Sequence, residues 1–222
     1  MTASTHRSTR WTLAVLAIVG LLIVGFAIEL HRMSSGPNST GPGSTARGID
    51  REHRDADTPA ALAGPRRRAD LPACPAADDA AAPADALRGV TVECAADGAT
   101  VDVSRALAGR PVVLDFWAYW CAPCTAELPA MADYQRRVGT AVTVVTVHQD
   151  DNETAGLLRL ADLGVRLPTF QDGRRLIAAA LGIPNAIPAT VVLRSNGSVA
   201  QVLPRPFANA DEISAAVGNQ AR

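Results

Sequence analysis

The hydrophobic pattern of the chain begins with its longest apolar stretch, over residues 11–30. The only charged residue in this stretch, Glu29, lies at its far end. A helix of this length spans about 30 Å, which is the thickness of the hydrocarbon core of a membrane. Two arginines, one histidine and no acidic residue precede it, which favours a cytoplasmic location for residues 1–10. The pattern therefore predicts a single transmembrane signal anchor over residues 11–30.

Two alternatives to the signal anchor remain open. A weak small-residue cleavage site at positions 25–27 would make the stretch a signal peptide that is removed from the mature protein. A buried core helix is less consistent with so long an uncharged run. An anchor and a signal peptide both predict that the folded part of the chain lies outside the cytoplasm, where disulfides persist. The anchor in addition predicts a location at the cell membrane.

Residues 31–70 show no apolar periodicity. Residues 34–44 are rich in Gly, Pro and Ser, and the segment that follows is charged and lacks aromatic side chains. This composition predicts a disordered linker between the membrane and a folded domain over residues 71–222. Within the linker, the three arginines at 66–68 either contact anionic lipid headgroups or are simply solvated.

Beyond residue 70 the pattern alternates between strand-like and helix-like segments. Strand-like runs are found at residues 90–94, 99–103, 112–116, 142–147, 190–193 and 198–203. Helical patterns cover residues 124–138, 154–163, 176–181 and 211–217, the first of them interrupted by Pro129. Strands separated by helices predict an α/β fold with a mostly parallel central sheet, while Ala-Asp-Gly and Ser-Asn-Gly predict two antiparallel hairpins.

Composition and charge exclude several classes of function. The chain has 21 basic and 22 acidic residues and a net charge of −1, which argues against a nucleic-acid partner. All 21 basic residues are arginine, and the absence of lysine excludes a Schiff-base or P-loop mechanism. The chain contains four cysteines, an even number, and the candidate chemistry depends on them.

That chemistry lies in a Cys-x-x-Cys pair, Cys121 and Cys124, between a predicted strand and a predicted helix. The free N–H groups and the dipole of a helix N-terminus stabilise a thiolate, so Cys121 is the expected nucleophile. Cys124, one turn further on, is then the shielded thiol that resolves a mixed disulfide formed by Cys121. Pro123 fixes the turn between the two sulfurs, and the aromatic residues among 116–120, which include Trp120, form an apolar rim.

The two remaining cysteines, Cys74 and Cys94, flank a Pro/Ala-rich segment and the first predicted strand. We predict that they form a structural disulfide, and the alternative is a second redox pair that relays electrons. A zinc site shared with Cys121 and Cys124 would need a second close pair of ligands, whereas these cysteines are 20 residues apart with no histidine nearby. We therefore expect no metal.

The segment LDFWAYWCAPCTAELP resembles the active site of the thioredoxin superfamily, and specifically that of the membrane-tethered TlpA/ResA-like thiol–disulfide oxidoreductases. The matching residues are 115–118, 120–121, 123–124 and, for the tethered group, 127–129. Residues 187–190, Ile-Pro-Ala-Thr, resemble the cis-proline loop of the same family. The resemblance covers residues 90–217. It implies a thioredoxin-like fold, with a central mixed sheet flanked by helices and an N-terminal β-hairpin extension.

The resemblance also implies roles for further residues. Pro188 is implied to be cis and to lie against the reactive disulfide, which leaves the backbone of Ile187 free to pair with an extended substrate beside the sulfurs. Trp120 is the other candidate for substrate binding.

At position 115 the chain departs from many tethered members, which carry Asn there, and its Asp is more like that of ordinary thioredoxins. As a carboxyl at the end of a buried strand, six residues before Cys121, Asp115 is a candidate proton relay for Cys124, and an acid that is merely paired or solvated is the alternative.

Glu127 and His148 are two further ionisable residues close to the candidate site in the sequence or at the end of a predicted strand. Glu127 either takes part in catalysis or is a first-turn acid favoured by the helix dipole. His148 follows a predicted strand, and we expect it to be a surface residue rather than a metal ligand or an acid–base group.

Together these features predict an extracytoplasmic thiol–disulfide oxidoreductase that uses no cofactor and exchanges disulfides with exported proteins. The resemblance implies a membrane electron donor or acceptor, such as a CcdA-like thiol transporter, and a place in cytochrome c maturation. The alternative is a redox-inert or copper-delivery binding module on the same fold. The sequence leaves the direction of electron flow open.

Overall fold

The computed structural model describes residues 57–78 and 80–218. The predicted cytoplasmic segment 1–10, the signal anchor 11–30 and the linker up to residue 56 lie outside the described residues. Within the described part of the chain, no helix combines the length and the apolarity that crossing a membrane requires.

The described residues form seven strands, six α-helices and two short 3₁₀ helices. The strands are β1 Thr91–Cys94, β2 Thr100–Asp102, β3 Val112–Trp117, β4 Thr143–His148, β5 Thr169–Gln171, β6 Ala189–Leu193 and β7 Val199–Leu203. The α-helices are α1 Pro59–Ala69, α2 Val103–Ala106, α3 Ala122–Val138, α4 Glu153–Leu163, α5 Leu176–Ala180 and α6 Ala210–Val217, and the 3₁₀ helices are Asp85–Leu87 and Gly139–Ala141. This alternation agrees with the predicted α/β fold.

The strands form one mixed sheet in the order β2-β1-β5-β4-β3-β6-β7. β3, β4 and β5 run parallel in its centre, while β1 and β6 are antiparallel to their central neighbours. The two predicted hairpins, β1–β2 and β6–β7, form the two edges. The sequence pattern does not predict β5, because three residues are too few to show a strand pattern and this strand is held by pairing on both sides.

β3 is buried at all six positions, since helices cover both faces of the sheet. Val113 and Trp117 pack on one face with α3 and α6, and Leu114 and Phe116 pack on the other face with α5. Because side chains alternate along a strand, Asp115 points to the α3 face. The sheet therefore presents one acidic side chain to the helix that carries the Cys-x-x-Cys pair.

α3 continues through Pro129, where the sequence pattern predicts an interruption. Proline lacks a backbone donor and crowds the preceding turn, so it weakens a helix at that point. The neighbouring residues Leu128 and Met131 are fully buried against the sheet and hold the turns on either side of the proline. Tertiary packing therefore stabilises a helix that local propensity alone would end.

The linker prediction is wrong for residues 59–69, which form helix α1. Leu62 and Ala69 are buried in a small cluster with Leu157 of α4 and with Ala95. The segment offers only one large apolar side chain, Leu62, which is why its composition is typical of a linker. The folded domain therefore starts before residue 71, and α1 depends on packing against α4 rather than on its own propensity.

The arginines at 66–68 are not a uniformly solvated group. The side chain of Arg66 is only 12% exposed, and its Nη2 lies 2.5 Å from Oε1 of Glu93 and 2.9 Å from Oε1 of Glu153. Glu93 belongs to β1 and Glu153 begins α4. The guanidinium of Arg66 thus links α1 to β1 and to α4.

Cys74 and Cys94 form a disulfide with a Cα–Cα distance of 5.9 Å. Cys94 is buried at the end of β1, and Cys74 lies in the segment that follows α1. The Sγ of Cys74 also lies 3.3 Å from the carbonyl oxygen of Thr169 in β5. The bond therefore fastens the segment after α1 to the edge of the central strands.

We expect the double variant Cys74→Ser/Cys94→Ser to be less stable by about 3 kcal/mol, because the bond closes a loop of about 20 residues in the unfolded chain. Thermal or denaturant unfolding measures this difference. Disulfide exchange between Cys121–Cys124 and a protein substrate should be largely unchanged in the double variant. Loss of that activity in a variant that remains folded would instead favour a second redox pair that relays electrons.

Candidate active site

The N-terminus of α3 carries the Cys-x-x-Cys pair. Cys121 is the N-cap residue of the helix, and Cys124 lies in its first turn. The two form a disulfide with a Cα–Cα distance of 5.3 Å, and the Sγ of Cys121 accepts a hydrogen bond from the N–H of Cys124 at 3.3 Å. Cys121 is 5% exposed and Cys124 is 1% exposed. When the bond is reduced, the first-turn N–H groups face Cys121, an arrangement that stabilises a thiolate.

The cis-proline loop lies at the same edge of the sheet as the cysteines. β6 runs antiparallel to β3, with Ala189 opposite Phe116. The next positions in this register are Pro188 and Trp117, and the peptide bond that precedes Pro188 is cis, as the resemblance implies. Since β3 leads from Trp117 directly into the loop before Cys121, the sheet brings the proline and the disulfide to one end of the domain.

Trp120 forms the exposed part of the site. Its side chain is 60% exposed, and its indole Nε1 donates a hydrogen bond to Oδ2 of Asp150 at 2.9 Å. Ile187 and Tyr119 are half-buried and pack against the core cluster that contains both active-site cysteines. Asp150 has no recognisable signal in the sequence, because an acid in the loop after a strand belongs to no particular pattern.

Asp115 is 1% exposed on the α3 face of β3. Neither of its carboxyl oxygens has a hydrogen-bond partner within the described residues. In the strand register it lies between Thr146 of β4 and Thr190 of β6, and the buried hydroxyl of Thr190 is likewise unpartnered. Burial raises the pKa of Asp115 to about 7. At neutral pH this carboxyl is therefore balanced between its two protonation states.

Glu127 lies in the second turn of α3 and is 1% exposed, so the alternative of a first-turn acid is wrong. Burial, and then the charge of Asp115, raise the pKa of Glu127 to about 9. The backbone of Phe207 and the charge of Arg205 act in the opposite direction but do not offset the burial. Among the described residues, no hydrogen bond of ordinary geometry reaches either carboxyl oxygen. Glu127 is therefore protonated at neutral pH.

The expectation of a surface histidine at position 148 is wrong, because His148 is 1% exposed. Its ring packs on that of Trp117, with 4.7 Å between the centroids, and its Nδ1 lies 2.8 Å from Oε1 of Gln171. The ring fits because residue 156 is glycine: a Cβ there would lie 2.8–3.0 Å from three ring atoms. Burial lowers the pKa of His148, so this side chain is neutral at physiological pH.

The site can perform reversible disulfide chemistry. Cys121 and Cys124 interconvert between a disulfide and two thiols. Buried carboxyls lie on the helix that carries them and on the strand that it covers, and the indole of Trp120 is exposed. Among residues 57–78 and 80–218, no group of three or more His, Cys, Asp or Glu side chains forms a metal-binding cluster.

The chain is similar in sequence to one protein family and to proteins described as thiol–disulfide oxidoreductases. The profile of the Redoxin family matches residues 76–216. Thiol-disulfide oxidoreductase ResA of Bacillus subtilis (strain 168) is 30% identical over 108 residues, which are 48% of this chain and 59% of that protein. ResA of Oceanobacillus iheyensis is 32% identical over 126 residues, or 55% of this chain and 62% of that protein. The chain thus spans about six tenths of the length of these ResA relatives.

Two solved structures are similar over almost their whole length. The secreted Mycobacterium tuberculosis disulfide oxidoreductase homologous to E. coli DsbE is 27% identical, with a TM-score of 0.53 over 61% of this chain and 98% of that chain. MTB DsbF, solved in mixed oxidized and reduced forms, is 25% identical, with a TM-score of 0.54 over 61% of this chain and 97% of that chain. Helix α1 and Cys74 precede residue 76, where the family match begins.

Proposed function

The chain belongs to the Redoxin family, and from this premise we propose that it is a thiol–disulfide oxidoreductase that acts on exported proteins. The relatives confirm the ResA-like, thioredoxin-superfamily resemblance and the thioredoxin-like fold. The observation that carries the proposal is the Cys121–Cys124 disulfide at the N-terminus of α3, at the same edge of the sheet as cis Pro188 and the exposed Trp120.

The proposed reaction is a two-step exchange. In the oxidising direction, a substrate thiolate attacks Sγ of Cys121, forms a mixed disulfide and releases Cys124 as a thiolate. A second substrate thiolate then attacks the substrate sulfur of the mixed disulfide and releases Cys121. The substrate gains a disulfide and loses two electrons and two protons, and Cys121 and Cys124 end as two thiols. The same steps in reverse reduce a substrate disulfide.

In this scheme Asp115 exchanges a proton with Cys124, and Glu127 stays protonated. Cys124 is 1% exposed, so its proton has no direct route to bulk water. Asp115, whose pKa burial raises to about 7, accepts or returns a proton near neutral pH. Glu127, whose pKa is raised to about 9, keeps its own proton and does not add a second negative charge below the thiols.

In this proposal residues 11–30 anchor the chain in the membrane, and the domain works outside the cytoplasm. Two disulfides within the described residues support such a location, because disulfides persist in oxidising compartments. A similar solved protein is described as secreted. The partners are then the thiols or disulfides of exported proteins and a membrane electron donor or acceptor, such as a CcdA-like thiol transporter. Cytochrome c maturation is one process that this exchange would serve.

Two measurements on the full chain test the proposal. A reporter that is active only after export, fused behind residue 222, is expected to be active, and the fusion is expected to sediment with membranes. The detergent-solubilised protein is expected to accelerate the reduction of insulin by dithiothreitol, and Cys121→Ser is expected to lose this acceleration. A reporter active only in the cytoplasm would contradict the location, whereas failure to reduce insulin together with copper binding would favour the copper-delivery alternative. A soluble species that begins near residue 28 would indicate a cleaved signal peptide.

A further inference from the structure

The exposed indole of Trp120 is held in place rather than free. A ring that is 60% exposed has few packing contacts to fix its orientation. The hydrogen bond from its Nε1 to Oδ2 of Asp150, at 2.9 Å, supplies that restraint. An indole already held in one orientation loses less conformational entropy when a substrate packs against it. The position of Asp150 therefore determines the orientation of the Trp120 indole, which forms an apolar wall of the site.

Three further hydrogen bonds fix the loop between β4 and α4, which carries Asp150, and two of them are made by Asp150 itself. Its Oδ1 accepts from the N–H of Asn152 at 2.8 Å, and its carbonyl oxygen accepts from Nε2 of Gln171 at 2.6 Å. The N–H of Gln149, the residue before it, donates to the carbonyl of Trp117 at 2.8 Å. The bond from Gln171 ties this loop to β5, the neighbouring strand of the sheet.

Gln171 is oriented by the buried His148. Because its amide nitrogen donates to Asp150, its Oε1 faces the histidine and accepts from Nδ1 at 2.8 Å. This assigns the proton of the neutral imidazole to Nδ1, while Nε2 is buried and has no partner within the described residues. His148 and Gln171 are also opposite each other in the pairing of β4 with β5.

The imidazole has little freedom to move. It packs on the ring of Trp117 at a centroid distance of 4.7 Å, and the missing side chain of Gly156 leaves a recess that the ring fills. A continuous series of contacts thus runs from Trp117 at the end of β3, through His148 and Gln171, to Asp150, which accepts the hydrogen bond from the indole of Trp120.

We propose that His148 and Gln171 are positioning residues for substrate binding: they hold Asp150, and through it the indole of Trp120, as a preformed wall beside the reactive disulfide. This inference rests on the proposed function, because it assumes that protein substrates pack against Trp120. Neither residue touches the sulfurs. Their loss should therefore weaken the binding of a protein substrate and leave the intrinsic reactivity of Cys121 unchanged.

The kinetic test compares a large disulfide with a small one. We expect Gln171→Met, which keeps the volume and loses both hydrogen bonds, to raise the KM for insulin about fivefold with little change in kcat. The rate at which the reduced protein reacts with 5,5′-dithiobis(2-nitrobenzoic acid) should not change, because this probe is too small to need the indole. Asp150→Ala should give the same pattern, and combining the two changes should add little, since both break one connection.

A direct structural readout comes from 5-fluorotryptophan and ¹⁹F NMR, with the Trp120 resonance assigned by Trp120→Phe. This resonance is expected to shift or broaden in Gln171→Met and in His148→Phe. Thr169→Val is the matched control: it removes buried side-chain hydrogen bonds from the same strand, two residues away, without touching Asp150. It should lower stability and leave both the insulin KM and the Trp120 resonance unchanged.

The possible outcomes separate this inference from the proposed function. If Gln171→Met changes only the melting temperature, with the insulin KM and the Trp120 resonance as in the wild type, the positioning role is wrong. If the wild-type protein fails to reduce insulin, the proposed function fails, and the ¹⁹F spectra still decide whether His148 and Gln171 hold the indole. Should His148→Phe not fold, Gln171→Met and Asp150→Ala give the answer.

Discussion

The variant Cys124→Ser is expected to accumulate covalent complexes with its substrates, joined through Cys121. The mixed disulfide forms at Cys121, the N-cap residue, which is 5% exposed whereas Cys124 is 1% exposed. Without the thiol of Cys124, only external thiols can release the partner, and this release is slower than the intramolecular attack. Electrophoresis of cell extracts under non-reducing conditions measures the complexes, and mass spectrometry identifies the partners.

Cys121→Ser is the matched control for this experiment. It should trap almost no partners and be inactive towards insulin, because the remaining thiol is buried one turn into the helix. Partners held by Cys121→Ser and not by Cys124→Ser would show that the nucleophile is wrongly assigned. Exported proteins among the trapped partners would support the proposed location, and apocytochromes c would support the role in cytochrome maturation.

The second large effect is on stability as a function of pH, and it comes from Asp115 and Glu127. Burial raises the pKa of Asp115 from 3.8 to about 7, and burial with the charge of Asp115 raises the pKa of Glu127 from 4.5 to about 9. Above about pH 4.5 the unfolded chain releases protons that the folded chain keeps. The free energy of unfolding therefore falls as the pH rises, until both groups are ionised in the folded state. For Asp115 alone the loss amounts to about 4 kcal/mol at most.

Asp115→Asn and Glu127→Gln remove the ionisable groups with little change in volume, so each variant is expected to be more stable than the wild type at pH 8. In the double variant the melting temperature should vary less between pH 5 and pH 9. Calorimetry at a series of pH values, with both disulfides intact, measures the effect.

Glu153→Gln is the control for burial of an acid. Burial also raises the pKa of Glu153 to about 7, but this carboxyl is paired with Arg66. Its replacement also leaves the guanidinium with one partner fewer, so Glu153→Gln should stabilise the protein at pH 8 less than Asp115→Asn does. A wild-type melting temperature that does not fall between pH 5 and pH 9 would contradict the assignment of Asp115 and Glu127 as protonated buried acids.

Elements with a strong local pattern could be predicted from the sequence. β3 is apolar at almost every position, and β4 is rich in β-branched residues. Helix α4 ends at Gly164, which adopts a positive φ of 64°. Helix α1 and strand β5 could not be predicted, because the first depends on a cluster contributed by α4 and the second on pairing with two other strands.

The candidate site likewise contains residues with a local sequence signal and residues without one. The spacing of Cys121 and Cys124 and the segment around Pro188 are local signals. The burial of His148 is not, because it depends on the missing side chain of Gly156, eight residues further along in a different element. Asp150 could not be found either, since its partner Trp120 is 30 residues away and only the sheet brings the two together.

The folding unit and the region shared with the Redoxin family begin at different places. The family match starts at residue 76, so a fragment cut there would lose Arg66 and Cys74. Glu153 would lose both the guanidinium that lies 2.9 Å away in the intact chain and the helix that packs on α4. Cys94 would become a lone thiol in a molecule whose reactive centre is a disulfide, and exchange would yield scrambled monomers and cross-linked dimers. An expression fragment that retains native pairing therefore has to include all of α1.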